Sequence, residues 1–126
     1  MIISMLKSKI HRATVTEANL DYIGSITIDE NLMEAAGLIE YECVQVLNIT
    51  NGNRLETYVI KGPIGSNSIC INGAAAHLVH KNDLVIIASY CQLNISDVNQ
   101  HKPKIIQVNN KNQIITLSKA KLSSNV

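Results

Sequence analysis

The segment YECVQVLNITNGNRLETYVIKG, residues 41–62, carries the clearest structural signal in the sequence. Two runs rich in β-branched residues flank Asn51 and Gly52, and such runs favour strands. An Asn-Gly dipeptide accepts the positive φ angles of a type I′ turn, so the segment predicts an antiparallel hairpin. Because successive side chains alternate along a strand, Thr57 and Tyr58 are expected on opposite faces of the second strand.

The composition favours one soluble globular domain spanning residues 1–126. Hydrophobic residues make up 46% of the chain and charged residues 17%, and both Phe and Trp are absent. Ile, Leu, Val and Ala must therefore fill the core. The net charge of +1 predicts neither a nucleic-acid partner nor an anionic membrane. No apolar run approaches the roughly 20 residues that span a bilayer.

The N-terminus and the cysteines both favour the cytoplasm. Lys7 interrupts the N-terminal apolar residues before they reach the length of a signal-peptide core. Cys43, Cys70 and Cys91 cannot all pair within one chain, and none lies in a Cys-x-x-Cys motif. Scattered thiols of this kind are typical of a reducing compartment.

Strand patterns recur on both sides of the hairpin. Alternation in the first of them places four residues on one face: Lys9, His11, Ala13 and Val15. The predicted strands lie in residues 9–20, 24–29, 69–71, 83–93 and 102–117, the last range holding two strands around a turn at Asn109-Asn110. The polar end from Ser118 is expected to fray.

Two short helices are predicted between the strands. The first follows Asp29, whose side chain can cap it, and stops at Gly37. The second begins after Asn72, a possible N-cap, in the segment NGAAAHLVHKND. Many short strands with two short helices indicate a small, closed β-barrel, because open apolar edges would aggregate. The few charges on the strand faces suggest that some surface is buried between subunits.

Motifs for metal, nucleophilic and nucleotide chemistry are weak. His77 and His80 lie near Cys70 and Cys91 in sequence, but the spacing matches no familiar zinc pattern, and solvated histidines are the simpler interpretation. There is no Gly-x-Ser-x-Gly elbow, Walker motif or dinucleotide glycine pattern.

Three other residues have both a chemical and a structural interpretation. Backbone N–H groups of a helix starting near Gly73 can hold a carboxylate or phosphate, although a capped, packed helix is the simpler alternative. Arg54 can clamp a carboxylate and Tyr58 can donate a proton, although strand residues of these types are more often exposed or packed. Taken singly, none of them identifies a function.

Taken together and in order, the motifs resemble the pyruvoyl-dependent aspartate 1-decarboxylase family. The similar pieces are MLKSKIHRATVT, LDYIGSITID, NGNRLETYVI, INGAAAHLV, DLVIIASY and HKPKIIQV, which run from the first residues to about Val108. The sequence departs from the family in the loop KGPIGSNS and in HKND, where the family commonly has glycine before the Asp. Asn82 can adopt the left-handed conformation of that glycine, so we expect the turn to persist.

The resemblance implies a mainly β fold, a small closed six-stranded double-psi β-barrel with a few short helices. It implies a homotetramer with active sites between neighbouring subunits, and in some family members a maturation-promoting partner protein. It also implies that the chain cuts itself between Gly24 and Ser25 into a β chain, 1–24, and an α chain, 25–126. Attack of the Ser25 hydroxyl on the Gly24 carbonyl gives an ester, and β-elimination and hydrolysis then leave a pyruvoyl group at position 25. Gly24, lacking Cβ, is expected to tolerate the strained backbone of the cleavage site.

The activity implied by the resemblance is decarboxylation of L-aspartate to β-alanine and CO2 for pantothenate and coenzyme A synthesis. The pyruvoyl group would form a Schiff base with the substrate and accept electrons, with neither pyridoxal phosphate nor a metal. Ser25 and Tyr58, the proton donor, are the catalytic residues implied. The implied substrate-binding residues are Thr57, Gly73, Ala74, Ala75, Arg54 and Lys9, and the supporting residues are His11, Tyr22 and Asn72.

Two alternatives remain open at the level of sequence. One is a non-catalytic double-psi β-barrel that acts as a binding module, since a fold alone does not confer activity. The other is a decarboxylase of a different small amino acid. Lys9 and Arg54 favour a diacid only through the resemblance.

Overall fold

The fold is given by a computed structural model that describes residues 1–118. The polar end after Ser118, where fraying is predicted, lies outside the described residues. Nine strands occur in residues 1–118: β1 (Ile2–Thr14), β2 (Glu17–Asn19), β3 (Ser25–Asp29), β4 (Cys43–Asn48), β5 (Arg54–Gly62), β6 (Ile69–Asn72), β7 (Leu84–Asn94), β8 (Lys104–Val108) and β9 (Ile114–Ser118). The helices of the same region are α1 (Glu30–Ala36) and two 3₁₀ helices, Gly73–His77 and Ile95–Gln100.

The strands pair in the order β2-β6-β3-β5-β4-β7-β1-β8-β9. Three pairs are parallel, β2 with β6, β3 with β5 and β1 with β8, and the others are antiparallel. Parallel neighbours need crossover connections, so the chain cannot be a simple meander of hairpins. The expectation of a mainly β fold with a few short helices is confirmed. Within residues 1–118 the sheet has nine strands, where the resemblance implied a barrel of six.

The core consists of aliphatic side chains, as the absence of Phe and Trp predicts. The largest fully buried side chains are Ile10, Ile26, Ile28, Met33, Ile69, Ile71, Ile87 and Ile106. Because burying one Ile or Val side chain contributes about 1.5–3 kcal/mol, these side chains together supply most of the driving force for folding.

Helix α1 forms where the sequence predicts it. The Asp29 carboxylate accepts a hydrogen bond from Asn31 N at 2.8 Å, and Gly37 ends the helix with φ 74°. The carbonyl groups at its end are bound from β1, because Ser8 Oγ donates to Ala36 O at 2.6 Å and Lys7 Nζ donates to Gly37 O at 2.7 Å. These hydrogen bonds attach the C-terminal end of α1 to β1 and satisfy carbonyl groups that have no partner within the helix.

The hairpin of β4 and β5 is confirmed, but its predicted type I′ turn is wrong. The loop spans residues 49–53, and only Gly52 of the central dipeptide has a positive φ, 80°. The side-chain amides of Asn48, Asn51 and Asn53 all donate to the carbonyl oxygen of Leu78, at 3.2–3.3 Å. This contact with a distant segment selects the longer loop.

The first strand begins at Ile2, earlier than predicted, and its expected face is wrong. A register shift lies between Ile10 and Ala13, where Arg12 has φ 66°. Such a bulge adds a residue and reverses the alternation beyond it. Lys9 and His11 are therefore half-buried on one face, while Ala13 lies in the core.

The segment after β6 differs from the predicted second helix. It forms a 3₁₀ helix of only five residues, and the side chain of Asn72 makes no capping hydrogen bond. The turn that follows is as expected, since Asn82 has φ 74°. The strand predicted over residues 9–20 is divided into the end of β1 and the short strand β2. The second 3₁₀ helix is an element that the sequence analysis did not predict.

Candidate active site

Ser25 lies at the start of β3 in an unusual conformation. Its φ is 139°, and the residue is 1% exposed. Positive φ angles of this kind are rare for residues with a Cβ, and they cluster at functional sites. Gly24 does not have a positive φ, so the expectation that glycine takes up the strain is wrong. The strained residue is the serine itself.

Asn72 holds the Ser25 hydroxyl in place. Its side-chain Nδ2 donates to Ser25 Oγ at 3.1 Å and to Thr27 Oγ1 at 3.0 Å. The backbones of Ser25 and Asn72 are also direct partners in the antiparallel ladder of β3 and β6. Asn72 is only 5% exposed, so this amide is committed to the site, which explains why it does not cap the following helix.

Tyr58 reaches the bond that precedes Ser25. Its hydroxyl donates to the carbonyl oxygen of Gly24 at 3.0 Å. The position follows from the parallel ladder of β3 and β5, in which Ile26 pairs with Val59. Tyr58 is 37% exposed, so the residue is partly open to solvent while its hydroxyl is bound.

Gly73 packs its backbone against the same bond. It has φ 72°, and a Cβ at this position would lie 2.7 Å from Gly24 Cα and 3.1 Å from the carbonyl oxygen of Tyr22. Ala74 is exposed and Ala75 is half-buried at the start of the following 3₁₀ helix. Tyr22, Gly24, Ser25, Tyr58, Asn72 and Gly73 are thus brought together within one chain.

Of the predicted cationic residues, Lys9 lies on the distant strand β1, and Arg54 lies at the start of β5, the strand that carries Tyr58. Lys9 pairs with Ala88, Ala88 with Gln45, and Gln45 with Glu56. Lys9 therefore lies on the same face of the sheet as Glu56 and Tyr58 of β5. Three strand spacings separate β1 from β5, about 14 Å counted along the sheet. Among the described residues, no hydrogen bond joins Lys9, His11 or Arg54 to the cleavage site.

Thr57 and Tyr58 lie on opposite faces of β5, as predicted. Thr57 is half-buried and pairs with Val44 of β4. Val59 on the same side of the strand is fully buried. Thr57 therefore faces inward in this chain, while Tyr58 faces the cleavage site.

Two titratable groups near the candidate residues have shifted pKa values. Burial, together with the charges of Lys9 and Arg12, lowers the pKa of His11, and its Nδ1 has no hydrogen-bond partner in residues 1–118. Cys43 Sγ donates to Glu56 Oε1 at 3.2 Å, and this hydrogen bond and burial raise the pKa of the thiol. Cys43 pairs directly with Tyr58, and the sequence analysis did not single it out.

The described part of the chain contains neither a metal-ligand cluster nor a membrane-spanning helix. Residues 1–118 contain no group of three or more His, Cys, Asp or Glu side chains arranged to hold a metal ion. None of their helices is long and apolar enough to cross a membrane. The cysteines at positions 43, 70 and 91 are free thiols.

The chain is similar to known proteins over nearly its whole length. The model of the aspartate decarboxylase family matches residues 1–115. An aspartate 1-decarboxylase of Caldicellulosiruptor saccharolyticus is 64% identical over 94% of this chain and 92% of the relative. One from Acetivibrio thermocellus is 61% identical over 93% of both chains, and one from Clostridium botulinum strain 657 is 60% identical over 94% and 93%.

Among solved structures, the computationally designed protein msDPBB_sym2 matches 68% of this chain and 96% of its own length, with 19% identity and a TM-score of 0.42. The family model and the relatives cover almost all of the sequence. The chain therefore belongs to the aspartate decarboxylase family.

Proposed function

We propose that the chain is a self-processing, pyruvoyl-dependent lyase that converts L-aspartate to β-alanine and CO2. The β-alanine would serve pantothenate and coenzyme A synthesis. The relatives of the chain are named aspartate 1-decarboxylase. The observation that carries the proposal is the buried, strained Ser25, whose hydroxyl is bound by Asn72 while Tyr58 binds the adjacent Gly24 carbonyl.

In the proposed cleavage step, the nucleophile is the side chain next to the bond that is cut. Ser25 Oγ attacks the Gly24 carbonyl carbon, a C–O bond forms as the C–N bond breaks, and the hydroxyl proton passes to the released Ser25 nitrogen. Loss of the Ser25 Cα proton then breaks the Cβ–O bond and releases residues 1–24 with a carboxylate at Gly24. Hydrolysis of the dehydroalanine that remains gives ammonia and the pyruvoyl group. No external oxidant or reductant is needed.

Each neighbour of the bond has a role in this step. The Tyr58 hydroxyl donates to the oxygen on which negative charge develops during the attack. Asn72 donates to Ser25 Oγ, which orients the nucleophile and leaves its proton free to depart. The positive φ of Ser25 raises the energy of the intact chain, and breaking the bond releases that strain.

The residues around position 25 also fit a pyruvoyl group. When bound to an amino acid, that group supplies an electron sink for the charge left on Cα as CO2 departs. Release of residues 1–24 removes the carbonyl that occupies the Tyr58 hydroxyl, which frees Tyr58 to donate a proton at the substrate Cα. The small residues Gly73, Ala74 and Ala75 leave room for the substrate beside position 25.

Lys9 and Arg54 are the proposed partners of the two aspartate carboxylates. Lys9 lies on β1 and Arg54 at the start of β5, and neither is hydrogen-bonded to the cleavage site among the described residues, so we place them, with His11 in support, in a site formed between subunits of a homotetramer. An outward face that combines half-buried polar residues with exposed apolar ones fits such an interface. Three exposed apolar residues directly precede the cleavage site in sequence: Leu20, Tyr22 and Ile23. Thr57 would reach substrate only if both faces of β5 contribute to the site.

We further place the protein in the cytoplasm, where its free thiols are stable, and a maturation-promoting protein is a candidate partner. Decarboxylation of another small amino acid is the second function, and a panel of amino acids tests it. We expect turnover of aspartate above that of amino acids with uncharged side chains, because such a side chain leaves one of the two cations without a carboxylate. Preference for an uncharged amino acid would contradict the assignment of Lys9 and Arg54.

The direct test of the proposal is Ser25→Ala. Wild-type protein should appear by intact mass spectrometry as residues 1–24 and as residues 25–126 carrying pyruvoyl in place of serine, and it should form β-alanine. The variant should remain one chain and form none, because it lacks the attacking oxygen. β-Alanine formation by Ser25→Ala would contradict the mechanism.

A further inference from the structure

We propose that Gly73 is a positioning residue for cleavage of the Gly24–Ser25 bond, acting through the absence of a side chain rather than through contact with substrate. The inference rests on the proposed self-processing function. A Cβ on Gly73 would lie 2.7 Å from Gly24 Cα, 2.8 Å from Gly24 N and 3.1 Å from Tyr22 O. Carbon atoms in contact lie about 3.5–4.0 Å apart, so any side chain at position 73 displaces the residue that is cut.

The atoms that meet this Cβ belong to the backbone. A crowded flexible side chain can rotate away, but Gly24 Cα and N can move only with the chain. The β6 side cannot yield easily, because Asn72 pairs with Asn19 of β2 and with Ser25 of β3. The segment before the cleavage site is less well packed, with Tyr22 57% and Ile23 81% exposed. Gly24 is therefore the part that shifts.

A shift of Gly24 separates the reacting groups. Its carbonyl oxygen would leave the Tyr58 hydroxyl, now at 3.0 Å, and its carbonyl carbon would move relative to Ser25 Oγ, which Asn72 fixes. A misplacement of about 1 Å can slow a positioned reaction about 100-fold. Gly73 thus determines the position of the Gly24 carbonyl carbon relative to Ser25 Oγ, although it neither donates nor accepts a proton in the reaction.

The experiment compares the first-order rate of chain cleavage in purified full-length variants, followed by intact mass spectrometry. Gly73→Ala should cleave about 100-fold more slowly than wild type. Gly52→Ala is the matched control, because Gly52 has a similar φ of 80° but its Cβ would meet no atom of the described residues within 4 Å. It should cleave within about threefold of wild type.

Gly73→Asn separates two properties of the glycine, its tolerance of a positive φ and its lack of a Cβ. Asn tolerates positive φ angles better than Ala, so this variant should fold well even if Gly73→Ala does not. It still carries a Cβ, and we expect it to cleave as slowly as Gly73→Ala. Cleavage of Gly73→Asn at the wild-type rate would overturn the proposal, because conformational freedom alone would then explain the glycine.

Hydroxylamine identifies the step that is blocked. It splits esters, so it cuts any chain that has completed the acyl shift from Ser25 N to Oγ. We expect no cleavage of Gly73→Ala by hydroxylamine beyond that of Ser25→Ala, because the block precedes the ester. Rapid cleavage would place the block after the ester and contradict a role in positioning the attack. If wild type also remains whole with and without hydroxylamine, cleavage without a partner protein fails as part of the proposed function, and this inference fails with it.

Discussion

At the residue scale, the site depends on a serine that occupies a conformation serines avoid. Ser25 combines φ 139° with near-complete burial, and its strain of order 1–3 kcal/mol must be offset by its surroundings. The ladder to Asn72 and the amide on Ser25 Oγ supply that support. The sequence predicts the importance of Gly24-Ser25 through resemblance, but it places the strain on the wrong residue of the pair.

Tyr58→Phe separates the two reactions that the site is proposed to perform. The variant should still cleave to completion, though more slowly, because Ser25, Asn72 and Gly73 are unchanged. Decarboxylation per cleaved chain should fall by about 100-fold or more, the usual contribution of a positioned proton donor. Mass spectrometry gives the cleaved fraction and a β-alanine assay gives turnover.

Tyr90→Phe is the control for this pair of measurements, since Tyr90 is an exposed tyrosine on β7. It should change neither rate by more than about threefold. Unchanged decarboxylation in Tyr58→Phe would remove the phenol from its role as proton donor.

At the element scale, a turn decides which residues become neighbours. A two-residue turn at Asn51-Gly52 would place Cys43 opposite Ile60, whereas the longer loop places Cys43 opposite Tyr58. The loop is selected by the contacts of three asparagine amides with Leu78 O. Those partners are distant in sequence, so local turn preferences could not predict the register.

Asp29 joins three elements, and its removal should be costly. Its buried carboxylate, 1% exposed, accepts from Asn31 N at 2.8 Å, Gly65 N at 3.2 Å and Asn67 N at 2.7 Å. Asp29→Ala should lower the free energy of unfolding by about 2–4 kcal/mol, since it removes a helix cap and leaves two N–H groups of a loop without partners. Urea unfolding at one fixed chain concentration measures the change.

This measurement uses the Ser25→Ala background, so that every chain is whole. Glu34→Ala is the control, because Glu34 is an exposed residue of α1, and it should change stability by less than about 0.5 kcal/mol. A loss of less than about 1 kcal/mol in Asp29→Ala would mean that water replaces the carboxylate at the loop.

At the scale of the whole molecule, the proposed site is incomplete in one chain. Ser25, Tyr58, Asn72 and Gly73 are in contact, but Lys9 lies on β1, about 14 Å along the sheet from β5. If Lys9 serves the site of a neighbouring subunit, two defective chains should complement each other.

Co-expression of Lys9→Ala and Ser25→Ala chains tests this arrangement. Each variant alone should be inactive, whereas random mixing in a symmetric oligomer should restore about a quarter of the sites, those that take Ser25 from one chain and Lys9 from the other. Aspartate turnover and the mass of the assembly are the measurements. A mixture as inactive as its parents would contradict a site shared between subunits.

The sequence by itself determined the mainly β fold, helix α1 with both of its caps, the β4–β5 hairpin and the aliphatic core, because these depend on alternation, capping residues and composition, which are local. Its motifs also indicated the family. Only the tertiary structure decided the bulge at Arg12, the loop at 49–53, the positive φ of Ser25 and the contact of Gly73 with Gly24. Each of these features depends on contacts between segments that are distant in sequence, and a local sequence pattern does not indicate such contacts.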